Sequence, residues 1–205
     1  MDNAKQPAST FVVLYFGDSL TAGSELSPDQ KPFVWPKLVQ EGSYGKFQAI
    51  NEGLGGRPTG SMPDFQKALE KHGGAMDIMV IALGGNDARD VSGNCVAHAV
   101  KNIREMIALT RAGRPDIPIL LVGPANIRKD ALGPTKNIAD QRDQNLRDLT
   151  DAYEKLAPET SCQFVSLYGV VPPASLAMDG VHPDADGNRA IAAKMLEALS
   201  KLVSR

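Results

Sequence analysis

Ser19 follows the run Phe11-Val-Val-Leu-Tyr-Phe16-Gly17-Asp18, and a serine at such a junction between an apolar run and a loop is placed at the rim of a crevice. A free serine hydroxyl is a weak nucleophile and needs an adjacent base to take its proton. The chain has three histidines, and His182 alone has the setting of a base. It lies in Asp179-Gly180-Val181-His182-Pro183, where a tight turn at Gly180 can aim carboxylate and imidazole inward together. Asp179 would then accept a hydrogen bond from Nδ1, fix the tautomer and leave Nε2 free to act as the base. Ser19, Asp179 and His182, in that chain order, form a candidate catalytic triad. Taken singly, each has a plainer reading: Ser19 as a helix N-cap, and Asp179-x-x-His182 as an ordinary turn with a surface ion pair.

Acyl transfer also needs donors aimed at the place where negative charge develops. Asn86, in Gly84-Gly85-Asn86-Asp87, offers a side-chain amide, and Gly56, in Gly53-Leu54-Gly55-Gly56-Arg57-Pro58-Thr59, offers a backbone N–H. Ser19 adds its own N–H, so the expected oxyanion hole is Ser19, Gly56 and Asn86. Gly55 adjoins Gly56, and the donating N–H could belong to either. Gly-Gly-Asn-Asp could instead be a plain turn. Arg57 reads either as a contact for an anionic substrate or as a solvated arginine.

The other chemistry-bearing residues point away from cofactors and metals. A dinucleotide fingerprint starting at Gly53 would need glycine where Pro58 stands, and no Walker lysine motif is present. His98 lies three residues after Cys95, but two ligands make a poor metal site. His72, followed by Gly73-Gly74, reads as a helix C-terminal or solvated residue. Cys95 and Cys162 allow at most one bridge, which excludes a disulfide scaffold. The expectation is no cofactor and no metal.

These residues need elements to position them. Phe11–Phe16 is a continuous apolar run with β-branched and aromatic members, the pattern of a strand buried on both faces. Similar runs recur at Phe47–Asn51, Ile78–Leu83, Ile117–Val122 and Phe164–Leu167. Helical stripes separate them: Val96, Val100, Ile103, Ile107 and Thr110 in one, and Ile138, Leu146, Leu149, Tyr153 and Leu156 in a less regular second. A last helix spans about 184–203, with weaker ones near 34–41 and 61–72. Alternating strands and helices predict right-handed βαβ units, hence an α/β fold: a three-layer α/β/α arrangement around a five-stranded parallel sheet. The expected order is flavodoxin-like, 2-1-3-4-5, whose ligand crevice opens at the strands' carboxyl ends beside the first and third. The glycine-rich and polar segments above all fall there. The stretches 24–33 and 124–137 are expected to line the same crevice.

Composition narrows the classes further. With 205 residues the chain suits one domain, read as residues 10–205 after a loose, polar segment 1–9. Lys and Arg number 22 against 24 Asp and Glu, which lacks the basic excess that nucleic-acid binding normally requires. The longest apolar runs are six residues, far short of the about 20 that a membrane-spanning helix needs, so no transmembrane segment is expected. No signal-peptide pattern opens the chain, so it reads as cytoplasmic, or as periplasmic or secreted if a leader has been removed. Oligomeric state leaves no mark in the sequence.

Together these blocks resemble the SGNH hydrolases, also called the GDSL lipase/esterase family. Gly17-Asp18-Ser19-Leu20 alone would be a weak match. Gly56, Gly85-Asn86-Asp87 and Asp179-x-x-His182, following in the family's order, make it specific, and it spans Gly17 to His182. The resemblance implies a serine esterase acting through an acyl-serine intermediate, without a cofactor, on a small-molecule ester. Short-chain, aryl, acetylated-carbohydrate and lysophospholipid-type esters fall within the range it implies. The same resemblance carries over Ser19 as nucleophile, Asp179 and His182 as its partners, and Gly56 and Asn86 as oxyanion donors. The alternative from another class is a non-catalytic flavodoxin-like module that cradles a phosphate on Ser19-Leu20-Thr21.

Overall fold

The computed structural model describes residues 10–204, so the expected loose segment 1–9 lies outside the described residues. Five parallel strands are ordered β2-β1-β3-β4-β5, as the alternating pattern predicts. They are β1 (Phe11–Gly17), β2 (Phe47–Gly53), β3 (Ile78–Ala82), β4 (Ile119–Gly123) and β5 (Gln163–Ser166). β1 lies between β2 and β3, pairing Gly17 with Gly53 on one side and with Ala82 on the other. The carboxyl ends of those three strands are therefore level, at the point where the winding reverses.

Alternation along β1 divides the core in two. Leu14 and Phe16 face a cluster with Phe65, Ile103 and Leu149, while Val13 and Tyr15 face one with Trp35, Val39 and Met195. The first cluster is covered by α3 (Met62–His72), α4 (Cys95–Gly113) and α5 (Ala139–Glu159), the second by α2 (Trp35–Gly42) and α6 (Ala185–Leu202). Each such side chain, fully buried, stabilises the fold by about 1.5–3 kcal/mol. Edge-to-face pairs lock the layers to β1: Tyr15 against Trp35 at 5.0 Å, and Phe16 against Phe65 at 4.9 Å. A four-residue helix, α1 (Ser19–Ala22), follows β1 directly.

Several boundaries differ from the expected ones by one or two residues. The fourth strand begins at Ile119 rather than Ile117, because Pro118 has no N–H to give the ladder and contributes only its carbonyl, to Met79 N. The irregular stripe from Ile138 resolves into a helix that starts one residue later. Cys95 and Cys162 are both free thiols.

Candidate active site

The loop after β1 is built so that the Ser19 hydroxyl is not consumed by the backbone. Asp18, not Ser19, is the N-cap of α1, its Oδ1 accepting from Leu20 N at 3.0 Å. That removes the capping alternative for Ser19, which sits in the first turn, 8% exposed. Gly17 makes the tight entry possible, since a Cβ there would come within 2.0 Å of Thr21 Oγ1. Burial pushes the Asp18 carboxyl up to about 6, against the opposing pull of the Leu20 N–H and of His182.

The loops after β2 and β3 are fastened to one another. Asp87 accepts from Thr59 N at 3.0 Å and from the Thr59 hydroxyl at 2.5 Å. Asn86 Nδ2 donates to Arg57 O at 3.2 Å, which fixes the orientation of the amide. An amide nitrogen carries two hydrogens, so one remains for a ligand. Gly56 stands at φ 75°, and both it and Gly55 line the cleft that holds Ser19. Arg57 fits neither of its expected roles. It is buried beneath the loop, where Nη1 donates to Gly17 O at 2.8 Å and also to Glu52 O, and the guanidinium lies 4.1 Å from the Phe16 ring. Its work is to hold the β2 loop against the end of β1.

The segment before α6 supplies the remaining pair. Gly180 adopts φ 71°, and a Cβ there would lie 2.4 Å from Arg128 O, so the turn expected at this glycine is enforced by packing as well as by conformation. Gly180 O in turn accepts from Arg128 N at 2.7 Å. Asn188 anchors the start of α6, donating to Pro183 O and accepting from Trp35 N. With the turn held this way, Asp179 Oδ2 meets His182 Nδ1 at 2.5 Å, and Asp179 Oδ1 accepts from the N–H groups of Val181 and His182. Burial raises the Asp179 carboxyl, but those hydrogen bonds outweigh it and the net shift is downward. His182 Nε2 stands 2.9 Å from Ser19 Oγ.

One cleft of about 340 Å³ therefore gathers Ser19, Gly56, Asn86, Asp179 and His182, every residue expected at the site. Ser24, Glu25, Leu132 and Thr135 also line it, so both loop stretches named from the sequence reach the site. The remaining histidines lie elsewhere. His72, half-buried at the end of α3, bonds Glu52 Oε1 at 2.7 Å, while His98 is exposed and Cys95 is buried on the same helix.

The chain matches the GDSL-like lipase/acylhydrolase family over residues 15–190. It belongs to that family. No curated protein sequence matches it. Among solved structures it is similar to a carbohydrate acetylesterase family member from Sinorhizobium meliloti, at 25% identity and a TM-score of 0.77, covering 96% of this chain and 100% of the other. A protein assigned as an arylesterase, from Agrobacterium tumefaciens str. C58, is 26% identical with a TM-score of 0.76, covering 94% and 100%. The fold is shared with the M. smegmatis aryl esterase, 21% identical, with a TM-score of 0.74, covering 94% and 100%.

As a family member the chain is a carboxylic ester hydrolase, and the non-catalytic phosphate-cradle alternative gives way. Sequence reasoning missed two arginines of this GDSL-family cleft, Arg89 and Arg142. Arg142 did leave a signal, because with Leu146, Leu149 and Tyr153 it falls on the inward stripe of α5. Glu25, Asp179 and His182 place ligand-type atoms within 4.8 Å of one another. Both nitrogens of His182 are engaged by hydrogen-bond partners, Nδ1 by Asp179 and Nε2 by Ser19, so a cation bound there would have to displace the Ser19 hydroxyl.

Proposed function

We propose that the protein is a serine esterase for short-chain or aryl carboxylic esters, including acetylated carbohydrates, working through an acyl-Ser19 intermediate. The observation that carries this reading is the relay of Ser19 Oγ to His182 Nε2 at 2.9 Å and His182 Nδ1 to Asp179 Oδ2 at 2.5 Å. Ser19 Oγ attacks the ester carbonyl carbon as its proton passes to His182 Nε2. Asp179 stabilises the imidazolium so formed. The carbonyl oxygen becomes an oxyanion, held by the Ser19 N–H, the Gly56 N–H and the free hydrogen of the Asn86 amide. Each such donor contributes about 2.7–4 kcal/mol to the barrier reduction in comparable sites. The tetrahedral carbon then expels the alcohol, which takes the proton from His182, and leaves acyl-Ser19. Water, deprotonated by the same nitrogen, attacks the acyl carbon and releases the acid with the serine restored.

Names of the neighbours support the substrate range: one is a carbohydrate acetylesterase family member, another an assigned arylesterase. A second support is a small cavity of about 40 Å³ that shares Arg142 and Val181 with the Ser19 cleft and is otherwise lined mostly by apolar side chains, among them Leu20, Trp35, Leu83 and Val122. A water needs roughly 10–15 Å³ measured in this way, so the cavity suits a small acyl tail rather than a long one. The test is a panel of esters varied in acyl length and alcohol, with Ser19→Ala as control. Ser19→Ala and His182→Ala should each abolish nearly all hydrolysis, and the double variant should be little worse than either. Substantial turnover by well-folded Ser19→Ala would remove the serine from the mechanism. Hydrolysis should persist in excess EDTA, and loss on chelation with recovery on adding a divalent cation would overturn the metal-free scheme.

A further inference from the structure

Two arginines, Arg57 and Arg142, are buried among the described residues, and they differ in what they hold. Arg57, 7% exposed, is engaged by two carbonyl oxygens and by Asp64 at 3.7 Å. Arg142, 6% exposed, makes no hydrogen bond and no ion pair among the described residues, and its Nε is shut off from solvent without a partner. A buried donor left unsatisfied loses its hydration and gains nothing in return, a cost that grows when the donor is charged. Where Arg142 lies makes this informative. It lines the cleft that contains Ser19 and His182, and also a small, mostly apolar cavity that shares Val181 with that cleft. Arg89, exposed at the same cleft, adds a second positive charge.

The nearby acids do not occupy this guanidinium. Asp179 spends Oδ2 on His182 and Oδ1 on two backbone N–H groups, and Asp18 caps Leu20. Burial, and then Arg89, weaken the hold of Arg142 on its proton, while Asp179 and Asp18 strengthen it. A planar fork of N–H donors at a catalytic cleft matches a carboxylate in geometry and in charge.

We infer that Arg142 is a specificity-determining residue that anchors an anionic group, of the carboxylate type, on the ester substrate. The inference rests on the esterase reading above and narrows its substrate class to esters that carry a negative charge. Two matched pairs test it and separate the acyl side from the alcohol side. One pair is 4-nitrophenyl hexanoate against the 4-nitrophenyl monoester of hexanedioic acid. The other is 4-acetoxyphenylacetamide against 4-acetoxyphenylacetate. Wild type should favour the charged member of at least one pair by roughly 10- to 100-fold in kcat/KM, the range expected for hydrogen bonds to a charged group. Arg142→Gln should bring that ratio close to one, and Arg142→Lys, which keeps the charge, should retain part of it. No preference in either pair for wild type, or an unchanged ratio in folded Arg142→Gln, overturns the inference and leaves the esterase reading standing. Failure to hydrolyse any of the four esters would instead sink the esterase reading, and this inference with it. Should Arg142→Gln not fold, the wild-type ratios and their change in Arg142→Lys decide the question.

Discussion

Asn86 shows how a single side chain can be read as a turn or as machinery. Its Nδ2 donates one hydrogen to Arg57 O at 3.2 Å, which leaves the other without a protein partner among the described residues, in a residue that lines the same cleft as Ser19 and His182. An oxyanion donor makes its best hydrogen bond in the transition state, so its loss should appear in kcat more than in KM. Asn86→Ala is expected to lower kcat by roughly 10²–10³ with little change in KM. Asn86→Asp should be at least as damaging, because it sets a carboxylate where negative charge must form. A merely structural asparagine behaves differently: aspartate suits turns equally well and would cost stability first. Measuring kcat, KM and the thermal midpoint for both variants separates the roles, and an active but destabilised Asn86→Asp enzyme would remove Asn86 from the mechanism.

At the scale of elements, the turn before α6 determines whether Asp179 and His182 meet Ser19 at all. Gly180→Ala would place a methyl 2.4 Å from Arg128 O and force a non-glycine residue to φ 71°. The expected cost is about 1–3 kcal/mol of stability from the strained backbone. Moving His182 by even a fraction of an ångström should also reduce kcat, by up to about 10²-fold. Gly93→Ala is the control, since Gly93 has φ 87° but nothing within 4 Å of the added Cβ. It should lower the thermal midpoint and leave kcat near wild type; equal kcat losses in both variants would refute a positioning role for Gly180. This turn was legible in the sequence because glycine between Asp179 and His182 is a local signal. So were the strands, whose continuous apolar runs mark burial on both faces. Arg57 was not legible, because its partners are the carbonyls of Gly17 and Glu52, and carbonyls leave no trace in residue type. Asp18 was missed for a related reason: serine and aspartate both cap helices, and only the backbone shows which of the two does so here.

For the whole molecule, placing a carboxylate under the nucleophile loop couples the site to global stability. Asp18 is 5% exposed, and burial lifts its carboxyl from an ordinary 3.8 to about 6. Its folded-state pKa is thus above the unfolded one, so the folded protein holds the proton more tightly. The resulting stabilisation is complete below about pH 3.8 and is lost as the pH rises through about 6. Asp18→Asn keeps an oxygen to accept from Leu20 N but cannot ionise. The stability of Asp18→Asn relative to wild type should therefore climb between pH 4 and pH 7 and level off above, by on the order of 1–3 kcal/mol. In a domain of this size that is a relative rise in thermal midpoint of about 2–4 °C per kcal/mol. Taking the difference between the two proteins at each pH cancels the titration of the other groups they share. A difference that stays flat from pH 4 to pH 7 would mean that Asp18 ionises in the folded protein as it does in water, and that its burial carries no electrostatic cost.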